Sequence, residues 1–342
     1  MLPRGLPLTT EKTKEDLLAT LLCEEYGQIP SFPYEIVAEE LSRDIKFAAG
    51  KADLVKLTLT CKADFGVFAF PLYYVCPKVG HPVKSFVHIN FRDLIPDRYQ
   101  PTEELVDKGY ATLTFCYKDI TSDDGDFGNG LAGVLYPNGE QTEKGCGKIG
   151  MWAWAACAVL RYALTLPELD SHCISVCGHS RLGKTALLAG ALDERFFCAF
   201  SNDSGCGGAA MERGKTGERI ADITRVFPFW FNKKYREYAG REDDMPFDQH
   251  FLVAANYPHR VYVASAREDA RACPENEYRS CKAAEEFYIG KGLTGFAAPD
   301  RLPEVGDRFI GGHIGYHLRA GRHYFSREDW LLYIEYIERH CK

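Results

Sequence analysis

The chain has 342 residues, 46% of them hydrophobic, with 41 Lys plus Arg against 48 Asp plus Glu and a formal charge of −7. That composition excludes disordered, collagen-like and coiled-coil classes. With no basic run longer than Lys233-Lys234 it also lacks the clustered cations of a nucleic-acid footprint. The most apolar stretch, Met151 to Leu160, ends at Arg161, about half the ~20 residues a bilayer span needs, so neither nucleic acid nor membrane is expected as a partner.

The opening MLPRGLPLTTEKTKEDLLATLL has no continuous apolar run and no small-residue cleavage site. It is unlike a secretory signal, and a cytoplasmic protein is expected. Thirteen cysteines, mostly single within apolar runs and never spaced C-x-x-C, fit small core hydrophobes in a reducing compartment rather than a zinc site. No cofactor or metal is expected.

Residues 13 to 26 carry Leu17, Leu18, Leu21 and Leu22 at helical spacing behind an acidic first turn. Asp53 to Ala63 alternates apolar and polar residues, which predicts a half-exposed antiparallel strand, and Gly66 to Val75 predicts a more apolar one. From residue 84 short apolar strands take over: Lys84 to Ile89, Ala111 to Cys116, His172 to Cys177, Phe196 to Asn202 and Arg260 to Ala266. Helical stretches such as Pro101 to Lys108 and Ile149 to Leu164 separate them. This alternation predicts a doubly wound, mostly parallel α/β sheet with antiparallel strands at its start. Residues 1–80 read as an N-terminal extension packed on the sheet edge and 81–342 as the core of one domain.

The segment Gly178-His-Ser-Arg-Leu-Gly-Lys-Thr185 lies between a strand and the helix-forming Ala186 to Leu192. It admits two incompatible readings. It satisfies G-x-x-x-x-G-K-[ST] letter for letter, the pattern of a phosphate-binding loop. It is also a strand–turn–helix with Ser180 at the turn, the setting of a nucleophile elbow, although Leu182 stands where the second glycine belongs and Gly183 comes one later. A serine nucleophile needs a base and an acid, in the chain order Ser, acid, His. Of the downstream histidines, His323 lies on a Gly-bounded turn just before the last amphipathic helix, Asp329 to Arg339, and is the candidate base. Asp203 and Asp269 each follow a strand's carboxyl end, and position alone does not separate them as the acid.

Gly178-His-Ser-Arg-Leu-Gly-Lys184, Asn202-Asp-Ser-Gly-Cys-Gly-Gly-Ala-Ala210 and Gly315-Tyr-His-Leu-Arg-Ala-Gly-Arg-His323 together resemble the glucuronoyl esterases of carbohydrate esterase family 15. These are α/β-hydrolases that cleave esters between 4-O-methyl-glucuronic acid on xylan and lignin alcohols. The resemblance spans roughly residues 80 to 340. It implies an α/β-hydrolase three-layer sandwich with Ser180 as nucleophile, His323 as base and Asp203 as acid, Asp269 being the alternative. It further implies Arg181 at the oxyanion, with a second donor near Asn90 or Phe91, and Lys184 and Glu218 on the uronate hydroxyls. One departure stands out. Where members read Glu-Asp-x-Trp-Ala-Asp-Pro, this chain has Glu268-Asp-Ala-Arg-Ala-Cys-Pro274, so Arg271 replaces the tryptophan that flanks the sugar and Cys273 replaces an Asp. The expected activity is that of a serine esterase on carbohydrate uronate esters. An acetyl xylan esterase of the same fold, a nucleotide-binding protein and a carbohydrate-binding protein without turnover are the alternatives.

Overall fold

The computed structural model describes residues 2–7 and 9–341. Ten strands form one sheet: β1 (Glu35–Asp44), β2 (Ala52–Ala63), β3 (Gly66–Pro77), β4 (Val83–Asn90), β5 (Ala111–Cys116), β6 (Leu169–His179), β7 (Cys198–Asn202), β8 (Arg260–Ala266), β9 (Arg308–Phe309) and β10 (Ile314–Arg319). Their order is β1-β2-β3-β5-β4-β6-β7-β8-β10-β9. From β5 to β10 neighbouring strands are parallel. The hairpins β1-β2-β3 extend this sheet through an antiparallel pairing of β3 with β5, and β9 closes the far edge antiparallel to β10.

Period-two alternation along the central strands feeds two cores, one on each face of the sheet. On β6, Ile174 and Val176 join the larger core with the helices Lys148–Ala163 and Arg181–Leu192. Cys173 and Cys177 point the other way, into a core shared with Trp330, Tyr333 and Tyr336 of the helix Arg327–His340. Both sheet faces are therefore covered, which is why the parallel strands read as unbroken apolar runs. The architecture is the α/β-hydrolase sandwich. The chain steps from β4 to β5 in one direction, then crosses β4 to lay down β6, β7, β8 and β10 in the other. That reversal opens a crevice at the carboxyl ends of β4 and β6, the place where such sheets bind ligands.

Among the elements not foreseen are β1, the helix Pro274–Gly290 and the strand β10. The N-terminal helix also differs from expectation. A Thr13–Asp16 capping box starts it at Lys14, but after Leu21 it loosens into a π turn, Leu22–Tyr26. At the end of this turn the Tyr26 hydroxyl donates to the Gly207 carbonyl at 2.9 Å. All thirteen cysteines are free thiols, eleven of them buried. Among the described residues no helix is long and apolar enough to cross a membrane.

Candidate active site

Because β6 runs through His179 and the next helix begins at Arg181, Ser180 alone makes the turn, at φ 58° and ψ −125°. A non-glycine residue in this region carries about 1–3 kcal/mol of strain and persists only where its surroundings enforce it. The Ser180 N–H donates to the Asn202 carbonyl at 2.8 Å. A Cβ on Gly178 would lie 2.2 Å from the Leu182 carbonyl oxygen, and one on Gly183 would lie 3.0 Å from that of Asn202. Glycine is thus required at 178 for the turn, while Gly183 lets the helix approach β7, which accounts for its displaced position.

The same geometry removes the phosphate-loop reading. No open loop separates strand from helix. The Lys184 ammonium is buried and donates to the Ser204 carbonyl, and the Thr185 hydroxyl donates to the Arg181 carbonyl within its own helix at 2.9 Å.

His323 lies on the turn between β10 and the helix Arg327–His340. Its Nε2 faces Ser180 Oγ at 2.9 Å and its Nδ1 faces Asp269 Oδ2 at 2.5 Å. Burial opposes ionisation of Asp269, but the His323 hydrogen bond and charge, with the Ala272 N–H, outweigh it and hold the carboxyl below its ordinary range. Asp203 makes no hydrogen bond to the imidazole, although the two approach within 4.8 Å. Its Oδ1 accepts the Ala266 N–H at 2.7 Å and its Oδ2 accepts from Arg319 Nη2 at 3.0 Å. The expectation of Asp203 as the acid thus gives way to the alternative, Asp269. Topology supplies the reason: β8, from which Asp269 springs, is the neighbour of β10, whereas β7 is one strand further away.

His179 backs the imidazole, with ring centroids 4.5 Å apart. Its Nδ1 is 2.6 Å from Asn202 Oδ1. Burial, and then the charge on His323, push its pKa down to about 3, so it is a neutral wall across the working range.

Arg181 opens its helix with a first-turn N–H that has no intrahelical acceptor. Its guanidinium lies over the Trp230 ring at 4.6 Å and the Phe227 ring at 5.3 Å and is bound by Asp123. Asp123 also accepts from Trp230 Nε1 at 2.7 Å and the Tyr117 hydroxyl at 2.9 Å. Where a second oxyanion donor was expected, near Asn90 or Phe91, the Phe91 N–H is taken by Asn90 Oδ1 at 2.8 Å.

Ser180, Arg181, Lys184, Glu218, Asp269, Arg271 and His323 all line one pocket of about 430 Å³. Burial draws the Lys184 ammonium below its ordinary range, opposed by the charge of Glu218. Glu218 is nearly covered while Arg271 is mostly exposed, and the two form an ion pair at the rim. Phe227, Trp230 and Asp123 were missed in the sequence because they come from loops and a short 3-10 turn with no motif around them. A second cavity, about 550 Å³ beside Leu22, Cys23, Lys144 and Lys234, gathers no comparable set of reactive groups. The grouping Asp203, Asp269 and His323 has metal-ligand spacing, but the facing atoms of Asp269 and His323 are already bonded to each other.

A family model described as glucuronyl esterase, fungi, matches residues 95–292. The chain is 39% identical over 252 residues to the carbohydrate esterase MZ0003 of an unknown prokaryotic organism, a match covering 73% of this chain and 57% of that protein. It is 30% identical over 171 residues to the 4-O-methyl-glucuronoyl methylesterase of Podospora anserina, covering 46% and 34%. The chain thus spans less than two thirds of the length of either relative. Among solved structures, the glucuronoyl esterase from Solibacter usitatus superposes with a TM-score of 0.90 at 27% identity, over 100% of this chain and 98% of that one.

Proposed function

The chain belongs to the glucuronoyl esterases of carbohydrate esterase family 15, and from that premise we propose that it is a serine carboxylic-ester hydrolase acting on 4-O-methyl-glucuronate esters of carbohydrates. The observation that carries the reading is the unbroken relay from Ser180 Oγ through His323 to Asp269, at 2.9 and 2.5 Å.

Ser180 attacks the ester carbonyl as His323 Nε2 takes its proton, and Asp269 fixes the tautomer and steadies the imidazolium that forms. His323 then returns the proton to the departing alcohol, leaving Ser180 acylated by the uronic acid. Water activated by the same imidazole hydrolyses this intermediate. The oxyanion sits by the Arg181 N–H and guanidinium. One such preorganised donor is worth about 3–4 kcal/mol in the transition state, and the aromatic and Asp123 contacts of Arg181 mean that little reorganisation is needed. Lys184 and Glu218 face the sugar hydroxyls, with Arg271 at the rim against Glu218.

A substrate panel tests the assignment: methyl and benzyl glucuronate, acetylated xylan and nitrophenyl acetate. Preference for the uronate esters supports it, and preference for the acetyl esters moves the activity to a deacetylase.

A further inference from the structure

The imidazole of His323 is packed on one face by His179 but is still 44% exposed, so packing around the ring does not by itself hold it in register with Ser180. What lies beneath its turn is Arg319, the last residue of β10, whose side chain is buried. All five guanidinium N–H groups are engaged. Nε donates to Asp329 at 3.0 Å and Nη2 to Asp203 at 3.0 Å. Nη1 donates to the carbonyls of Ala320 and Arg322 at 3.0 and 3.2 Å, and Nη2 also reaches the carbonyl of Tyr324. These three carbonyls bracket His323 on both sides.

Both anchoring carboxylates are fixed in turn. Asp329 closes the capping box of the helix Arg327–His340, accepting the Ser326 N–H at 2.7 Å and its hydroxyl at 2.8 Å, and accepts from His317 Nε2 at 2.8 Å. Asp203 accepts the Ala266 N–H at the end of β8, three residues before Asp269. A buried cation costs several kcal/mol unless carboxylates and further hydrogen bonds compensate it. Here the compensating groups are the loops that carry the base and its acid. Lysine, with one nitrogen and three donors, has no planar fork to span these acceptors.

We propose that Arg319 is the positioning residue of the site, a guanidinium that ties the His323 turn to the Asp269 strand end through Asp203 and to the last helix through Asp329. The inference rests on the reading of Ser180, His323 and Asp269 as a triad. It assigns Asp203 a part in the reaction one step removed from the imidazole, and it accounts for a carboxylate that lies close to the base without bonding it.

The test reads Ser180 reactivity without relying on the substrate assignment: the rate at which an alkyl fluorophosphonate labels Ser180, in wild type and in Arg319→Lys, which keeps the charge. Loss of register by about 1 Å costs up to ~100-fold in such reactions. Labelling is expected to slow about tenfold, kcat on methyl glucuronate to fall with KM within about threefold, and the downfield proton of the His323–Asp269 bond to disappear from the NMR spectrum. Labelling that slows by less than threefold, with that proton retained, overturns the proposal even if Tm falls, because a merely structural arginine changes only stability. If Arg319→Lys fails to fold, Asp203→Asn decides: labelling slowed threefold or more supports the clamp, and a smaller change overturns it. A wild-type Ser180 inert to the phosphonate overturns the triad reading beneath it. Labelling without glucuronate hydrolysis overturns only the substrate.

Discussion

Asp203 and Asp269 leave the carboxyl ends of adjacent strands, yet only Asp269 bonds the imidazole, with Oδ2 2.5 Å from His323 Nδ1, while Asp203 is turned to the Ala266 N–H and Arg319. Two carboxylates with near-equivalent positions in the chain thus have different partners and different effects on the base.

Replacing each acid by its amide separates those effects. Asp269→Asn should lower kcat on methyl glucuronate about 10³- to 10⁴-fold, the loss expected when an imidazole is left in the wrong tautomer. Asp203→Asn should cost about tenfold or less, through the register of the His323 turn. Steady-state kinetics of the two purified variants checks the order, and equal losses would contradict it.

Arg271 occupies Glu218 from the solvent side in the ion pair at the pocket rim. Arg271→Trp should release Glu218 to the sugar and supply an aromatic face, a contact worth about 1 kcal/mol. KM for methyl glucuronate is expected to fall about fivefold with kcat nearly unchanged. Stability should shift by under ~1 kcal/mol, since the Arg271 side of the pair lies mostly in solvent and is screened there. Kinetics together with a melting curve measures both.

Under the pocket, Glu25 of the π turn is fully buried, and its two carboxyl oxygens accept from Gln249 Nε2 at 3.2 and 3.0 Å. Burial first, and then the charge of Glu212, raise its pKa to about 8. A carboxyl whose folded pKa is raised binds its proton more tightly in the native state. Its contribution to stability is therefore full below about pH 4.5, the unfolded value, and is lost as pH rises towards 8. Glu25→Gln cannot titrate, so its Tm relative to wild type should rise between pH 5 and pH 8 by about 2 °C or more, the shift that ~1 kcal/mol produces in a chain of this size. A difference independent of pH would contradict the buried acid.

Burial decides which elements are legible in the sequence. Strands β4 to β8 were legible because both of their faces are covered, which leaves apolar runs. β1 was not, because both its faces are largely exposed and Glu35, Glu39, Glu40, Arg43 and Asp44 mask any alternation. The helix Pro274–Gly290 was missed because it begins from Cys273 in a left-handed conformation, without a polar cap, and β10 because its six residues are embedded among glycines. The elbow and His323 are set by local turns and could be found locally. The acid depends on which strand lies next to β10, and the Arg181 cradle of Asp123, Phe227 and Trp230 is assembled from segments about a hundred residues apart, so neither was visible along the chain.

The central claim is that Ser180 is the nucleophile. Its most direct test is the hydrolysis rate of methyl glucuronate by wild type and by Ser180→Ala at the same enzyme concentration. A loss of about 10⁴-fold or more is expected, in keeping with removal of a triad serine. Turnover by Ser180→Ala within tenfold of wild type would contradict it.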